Sequence, residues 1–436
     1  MNIILLSGGS GKRLWPLSND IRSKQFIKIF ENEDGGLDSM LMRVYGQIME
    51  ADPEAQVTIA TGKKQVSSII NQLGDRVGIC VEPDRRDTFP AICLAATYLQ
   101  DVKGVDREEP VVVCPVDPYV ELSYFETIKE LSELAAGSSC NLSLMGIEPT
   151  YPSEKYGYII PASKENVSRV ATFKEKPDVE TAKKYLEQGA LWNGGVFAFK
   201  LGYLLDKAHS MIEFTDYYDL YRHYSDLNKI SFDYAVVEQE TEIQVLRYHG
   251  EWKDLGTWNT FTEAMDAQVL GQGILNDTCA NTHVINELNI PILCMGCKDM
   301  VVAASGDGIL ISDKEQSSYI KPYVDAMEQQ VMYAEKSWGS FQVLDVQPES
   351  MTIKVTLLPG HSLHYHSHEN RDEVWTIVSG VGRTIVDGME QKVEPGDVIT
   401  MAAGCKHTVM ADSELKIIEV QLGKNIDVND KQKFDL

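Results

Sequence analysis

The sequence predicts an α/β chain: an N-terminal, mostly parallel sheet covered by helices, then a short β-rich spacer, then an all-β domain. Three observations predict it. Apolar strand-like runs alternate with helical periods from Met1 to about Asp266, that alternation lapses between about Ala267 and Gln330, and from Val331 short strand-like runs alternate with the turn signals LLPG, SGVG, VDGM and EPGD. The expected domains are therefore 1–266, 267–330 and 331–436.

In the first domain the strands are expected at IILL (3–6), VTIA (57–60), VGICV (77–81), VVVC (111–114) and LSLMGI (142–147). Between them lie amphipathic stretches such as DSMLMRVYGQIME. There Met40, Leu41, Val44, Tyr45, Ile48 and Met49 recur at helical spacing behind the candidate caps Asp38 and Ser39. In such sheets ligands gather at the carboxyl ends of the strands, which is where the loop after IILL and the PVDPYVE stretch after VVVC would both fall. The spacer, NDTCANTHVINELNIPILCMGCKDMVVAASGDGILIS, reads as short strands and turns.

Composition narrows the partners. The 436 residues suffice for two or three domains with separate cores. Forty basic against sixty-five acidic side chains leave a formal charge of −25, which excludes nucleic acid and anionic membrane as partners. An anionic substrate must then be drawn by local positive charge. The apolar runs are too short to span a bilayer, and the first lacks a basic flank and a cleavage site, so a cytoplasmic protein is expected. Eight cysteines lie in apolar surroundings without disulfide-framework spacing. Cys294 and Cys297 form a lone C-x-x-C in a strand-like run and are expected to be packing residues.

The loop after the first strand, SGGSGKRLWPLS (7–18), joins glycines 8, 9 and 11 to Lys12 and Arg13, with Lys24 beyond. Glycines let backbone N–H groups approach phosphate oxygens, and the cations supply charge. A Walker loop is excluded because Leu6 and Arg13 occupy its glycine and hydroxyl positions, and Leu14 stands where a dinucleotide fingerprint needs glycine. An ordinary strand-to-helix turn remains the bland alternative.

Further segments follow in order: SKQF (23–26), EPDRRDTFPAI (82–92), PVDPYVE (115–121), KYGYI (155–159), FKEKP (173–177), WNGGVFAF (192–199), SFDYAVVEQ (231–239) and WKDLGTW (252–258). Together they resemble the mannose-1-phosphate guanylyltransferases, or GDP-mannose pyrophosphorylases, in the long form with a C-terminal cupin domain, over essentially the whole chain. The resemblance implies a Rossmann-like nucleotidyltransferase domain, a β-helix-like spacer and a cupin jelly roll. It also implies an enzyme that makes GDP-mannose and pyrophosphate from GTP and a sugar 1-phosphate, mannose 1-phosphate, by Mg²⁺-assisted in-line attack on the α-phosphorus. A sugar phosphate is already anionic, so the catalytic task is charge neutralisation, and one placed charged donor is worth about 3 kcal/mol.

By that resemblance Gly8, Gly9, Gly11, Lys12 and Arg13 hold the nucleotide, with Lys24 also at the phosphates; Arg13, Lys24 and Asp117 are the catalytic candidates. Asp117 and Asp254 would hold Mg²⁺, Gly157, Glu175, Asn193 and Asp233 the sugar, and Lys176 its phosphate. Asp117 and Asp254 could instead cap helices, and Gly157 could permit a strand bend. The chain departs from the family at Lys12, Ser23, Asp87 and Phe89, and lacks a histidine after PVD.

In the last domain PGHSLHYHSHENRDEVWTIVSG sets His366, His368 and Glu373 at cupin spacing, and EPGDVITMAAGCKH adds His407. Alternate strand residues face one way, so His366 and His368 can grip one metal, with Glu373 and His407 completing a set suited to Zn²⁺, Fe²⁺ or Mn²⁺. His361 and His364 are expected to be solvated. Related cupins are mannose-6-phosphate isomerases, but His366 stands where they carry glutamine. An added isomerase activity, another nucleotide and sugar pair, or a nucleotide-sugar sensor are the alternative readings, and two folded units joined by a spacer invite a homodimer.

Overall fold

The computed structural model describes residues 1–9, 12–19, 21–327, 331–424, 426 and 430–435. Its largest sheet has nine strands, β1 (Asn2–Ser7), β2 (Gln56–Gly62), β3 (Gly78–Glu82), β4 (Pro110–Pro115), β5 (Leu142–Ile147), β6 (Gly157–Pro161), β7 (Val167–Lys174), β8 (Leu191–Lys200) and β9 (Ile243–Tyr248). Their spatial order is β3-β2-β1-β4-β8-β5-β9-β7-β6. The parallel expectation holds across β3-β2-β1-β4 and for β5 with β9, while β8 runs antiparallel between β4 and β5, and β7 and β6 are antiparallel too. Alternation of strand and helix in sequence carries no signal for the direction of a strand that arrives after a long excursion.

Ile3, Ile4 and Leu5 are fully buried, as befits a strand covered on both faces. Helices Met40–Ala51 and Leu122–Gly137 pack together, and Thr88–Asp101 packs with Leu201–Met211 and Phe232–Ala235. The first of these buries Met40, Leu41, Val44 and Ile48, and Ser39 rather than Asp38 caps it, its Oγ accepting from Met42 N at 3.2 Å.

The chain falls into two compact bodies, Met1–Gly11 with Ser23–Asp266, and Lys12–Arg22 with Ala267–Leu436. The segment Lys12–Arg22, expected within the first domain, thus packs on the spacer. The Pro16 carbonyl accepts from Ser305 Oγ at 2.7 Å, Asn19 Nδ2 donates to Asp307 Oδ2 at 2.6 Å, and Arg22 pairs with Glu287 at 2.8 Å. In the spacer, Val269–Leu270, His283–Asn286 and Met300–Ser305 pair in parallel succession, as do Gly273–Leu275 and Ile292–Cys294, in the manner of stacked β-helix rungs. All eight cysteines are free thiols, and Cys294 packs with Val284 and Val302.

The last segment forms two antiparallel sheets of six and five strands around Trp375, Ile377, Val355, Leu357 and Val409. Along strand Asp372–Ser379, Glu373, Trp375 and Ile377 are buried at alternate positions, so one pleat face carries both core and candidate metal ligand. No described helix is long and apolar enough to cross a membrane.

Candidate active site

The carboxyl ends of the neighbouring strands β1 and β4 bring the glycine loop beside Asp117. Val116 N donates to the Leu6 carbonyl at 3.2 Å, and the next strand, Pro118–Val120, pairs antiparallel with Trp252–Asp254 so that Asp254 faces Pro118. Asp117 and Asp254 therefore meet although they lie far apart in sequence. Lys24 Nζ reaches both, at 3.0 Å to Asp117 Oδ2 and 3.4 Å to Asp254 Oδ1, and donates to the Leu255 carbonyl at 3.3 Å. Burial by itself would lower the Lys24 pKa; Asp117 and then Asp254 outweigh it and hold the ammonium above its ordinary value.

A buried amide network sets this loop in place. Gln65 Nε2 donates to Ser23 Oγ at 2.7 Å and to the Gly9 carbonyl at 3.2 Å, Ser23 Oγ donates to Gly9 O at 2.9 Å, and Gln25 Nε2 donates to Ser7 Oγ at 2.9 Å. Sequence reasoning missed Gln65 and Gln25. Each stands beside lysines in a polar run, so the sequence around it gave no signal of burial. Gly11 lies outside the described residues. Lys12 and Arg13 belong to the second body; Lys12 pairs with Asp325 at 3.1 Å, so its charge is already matched, and Arg13 is exposed.

Beside the carboxylates opens a cavity of about 270 Å³, lined by Asp117, Asp254, Gly157, Glu175, Lys176, Asn193 and Asp233, so that every expected sugar-site residue is on its wall. Glu175 is buried and ion-pairs closely with the Lys176 ammonium. Asn193 Nδ2 donates to Asp233 Oδ1 at 2.6 Å. Burial, then the neighbouring Glu175, pushes the Asp233 carboxyl up to about 6, against the pull of Asn193. A Cβ on Gly157 would stand 2.5 Å from Glu175 Oε2, so glycine here makes room for a carboxylate rather than for a bend. Tyr156, Trp192 and Trp252 form an aromatic cluster at this wall, with Tyr156 4.9 Å from Trp192 and 5.3 Å from Trp252 between ring centroids.

A second cavity of about 260 Å³ is lined by Gly8, Gly9, Glu82, Arg85, Asp87 and Thr88, and Leu6 and Thr88 border both cavities. Glu82 ends β3, and its Oε2 accepts from Tyr224 OH at 2.8 Å. Asp87, which departs from the family pattern, has φ of 71° and accepts from Thr88 N at 2.7 Å, capping helix Thr88–Asp101.

The barrel gathers His366, His368 and His407, all buried, with ligand atoms within 4.8 Å of one another. Nδ1 of His366 lies 2.6 Å from the His364 carbonyl, and that of His407 lies 3.0 Å from the Cys405 carbonyl; Nδ1 of His368 contacts the Asp430 carbonyl. Each Nδ1–H can thus donate to a carbonyl, which leaves every Nε2 as a lone-pair donor toward a metal, that of His368 accepting from Arg371 in its absence. Glu373 adds oxygens 3.1 Å from His368 Nε2 and 3.2 Å from His407 Nε2. Burial holds His366 down to about 3 and so neutral, as a metal ligand must be. His361 and His364 are exposed, as expected. The donor set fits a transition metal. Arg371, missed from sequence, bonds Glu373 at 2.9 Å and His368 Nε2 at 3.0 Å.

Residues 2–269 match the family model described as nucleotidyl transferase. The chain belongs to the nucleotidyl transferase family. In this nucleotidyl transferase, residues 353–421 also match the cupin domain model. It is 27% identical over 473 residues to the mannose-1-phosphate guanylyltransferase of Salmonella montevideo, covering 99% of this chain and 98% of that protein. It is likewise 27% identical over 481 residues to the mannose-1-phosphate guanylyltransferase of Escherichia coli (strain K12), covering 99% and 97%. A crystal structure described as mannose-1-phosphate geranyltransferase from Thermus thermophilus superposes with a TM-score of 0.61 at 26% identity, over 74% of this chain and 98% of that one.

Proposed function

We propose that the chain condenses GTP with mannose 1-phosphate to GDP-mannose and pyrophosphate. The observation that carries this reading is the meeting of Asp117, Lys24 and Asp254 at the first of two cavities that share Leu6 and Thr88. A phosphate oxygen of the sugar phosphate attacks the α-phosphorus, the bond to the bridging oxygen breaks, and pyrophosphate leaves with the electron pair. Asp117 and Asp254 would hold Mg²⁺, which supplies neutralising charge between the two anions. Lys24 offers a second positive charge to the phosphates. The Gly8 and Gly9 backbone, with Gly11, Lys12 and Arg13, would take the triphosphate.

Two acceptors for sugar hydroxyls stand in the first cavity, Glu175 and Asp233, with Lys176 beside them for the sugar's phosphate. The second cavity favours guanine because the Glu82 carboxyl faces its glycine wall, where in its ionised form it would accept from two donors. Guanine presents two donors, N1–H and the 2-amino group, on one edge, whereas adenine presents a donor beside an acceptor. In the barrel, His366, His368, His407 and Glu373 would hold Zn²⁺, Fe²⁺ or Mn²⁺.

Pyrophosphate release measured over a matrix of nucleoside triphosphates and sugar 1-phosphates tests the reading. GTP with mannose 1-phosphate is expected to lead, and absence of turnover with every pair would overturn it.

A further inference from the structure

Tyr224 is fully buried, in the same apolar cluster as Cys80, Phe89 and Phe232. Phenylalanine would fill that space, so packing does not call for a hydroxyl. The hydroxyl donates at 2.8 Å to Glu82 Oε2. The other carboxylate oxygen, Oε1, lies 3.9 Å from where a Cβ on Gly8 would stand, turned to the glycine wall of the second cavity. One oxygen of Glu82 is thus held from the protein side and one is presented to the cavity.

We propose that Tyr224 is a positioning residue of the nucleotide site, aiming Glu82 so that its carboxylate accepts from the donor edge of guanine. This inference rests on the reading of the second cavity as the guanine subsite. The chemistry is specific about protonation. Ionised, Glu82 is acceptor-only and matches two N–H donors; protonated, it offers an O–H that clashes with guanine N1–H. Burial raises the Glu82 pKa, Asp84 adds to the rise, and Tyr224 and Arg85 oppose it; Cys80, the nearby thiol on the same strand, is itself pushed up to about 12 and stays neutral. The Tyr224 phenol is driven well above its ordinary value by burial and remains a donor at every working pH. Removing it leaves Glu82 with Arg85 alone against desolvation. Glu82 then takes up its proton at a higher pH.

The test uses the full-length chain with mannose 1-phosphate and either GTP or ITP, whose hypoxanthine lacks the 2-amino group, between about pH 6 and about pH 9. Tyr224→Phe is expected to raise KM for GTP by about tenfold or more, the worth of one hydrogen bond to a charged group. It should change kcat less, move the fall of GTP affinity to higher pH and shrink the preference for GTP over ITP. In the Glu82→Gln background the same change should add little, because an amide has no proton to be kept off. Unchanged GTP affinity and pH profile in Tyr224→Phe would overturn the proposal. So would an equal loss in both backgrounds, or a lowered melting temperature with the GTP-to-ITP ratio intact, since each marks a packing role only; the ratio stays readable in a partly unfolded sample. Absence of GTP turnover by the wild type would instead remove the guanylyl-transfer reading beneath it.

Discussion

Asp233 accepts the Asn193 amide at 2.6 Å on the wall of the first cavity, where burial and Glu175 hold its carboxyl near 6. On the proposed reading it would accept from sugar hydroxyls above that pH, and as pH falls through about 6 it is protonated and would give up that role. The expected outcome is a decline of kcat/KM for mannose 1-phosphate approaching tenfold per unit below the midpoint. Because the substrate phosphate also titrates, Asp233→Asn is the control: its profile should be lower throughout and flatter. An identical slope in both proteins would count against Asp233.

Lys24 bridges Asp117 and Asp254, so its loss and theirs should separate kinetically. Lys24→Ala is expected to lower kcat about a hundredfold, the effect of one placed cation at about 3 kcal/mol. Asp117→Asn should instead shift the Mg²⁺ dependence to higher concentration. Initial rates across a magnesium titration distinguish the two, and a Lys24→Ala enzyme with normal kcat would contradict the assignment.

Gly157→Ala places a methyl 2.5 Å from Glu175 Oε2 and 3.0 Å from the Phe173 ring. Glu175 is buried and paired with Lys176, so it has little room to give. The expected result is KM for the sugar phosphate raised about tenfold with KM for GTP unchanged, and a stability loss of about 1–3 kcal/mol from overpacking. Equal effects on both substrates would mean that Gly157 acts on the whole fold.

In the barrel, three imidazoles and Glu373 converge, so metal analysis of purified protein should find a bound transition metal. A chelator should lower the melting temperature, Zn²⁺ or Mn²⁺ should restore it, and saturation at about a hundredfold excess over Kd is worth about 2.7 kcal/mol. His407→Ala should weaken binding by calorimetric titration and abolish the thermal response. A metal-independent melting temperature in the wild type would argue for a barrel that only packs.

Much of the site was legible because its residues sit in short strings with local chemistry. The glycines after β1 and the His366/His368 pair announce themselves through spacing, and the PVD turn through the family its neighbours resemble. Gln65, Gln25, Tyr224 and Arg371 do not: each works through a side chain whose partner lies on another element, as when Gln65 reaches across to Ser23 and Gly9. The Lys12 pairing was equally unmarked. Lys12 looks like part of a cationic loop, yet it pairs with Asp325 in the second body.

By itself the sequence determined which segments of the first sheet's parallel half become strands, since apolar period is local, and the ordered set of short segments, through the family they resemble, carried the reaction class. Only the tertiary structure decided that β8 enters the sheet antiparallel, that Asp117 and Asp254 share one ammonium, and that Glu82 is held by Tyr224. Those outcomes depend on contacts between residues distant along the chain, and a side chain carries no local mark of the partner that packing will bring to it.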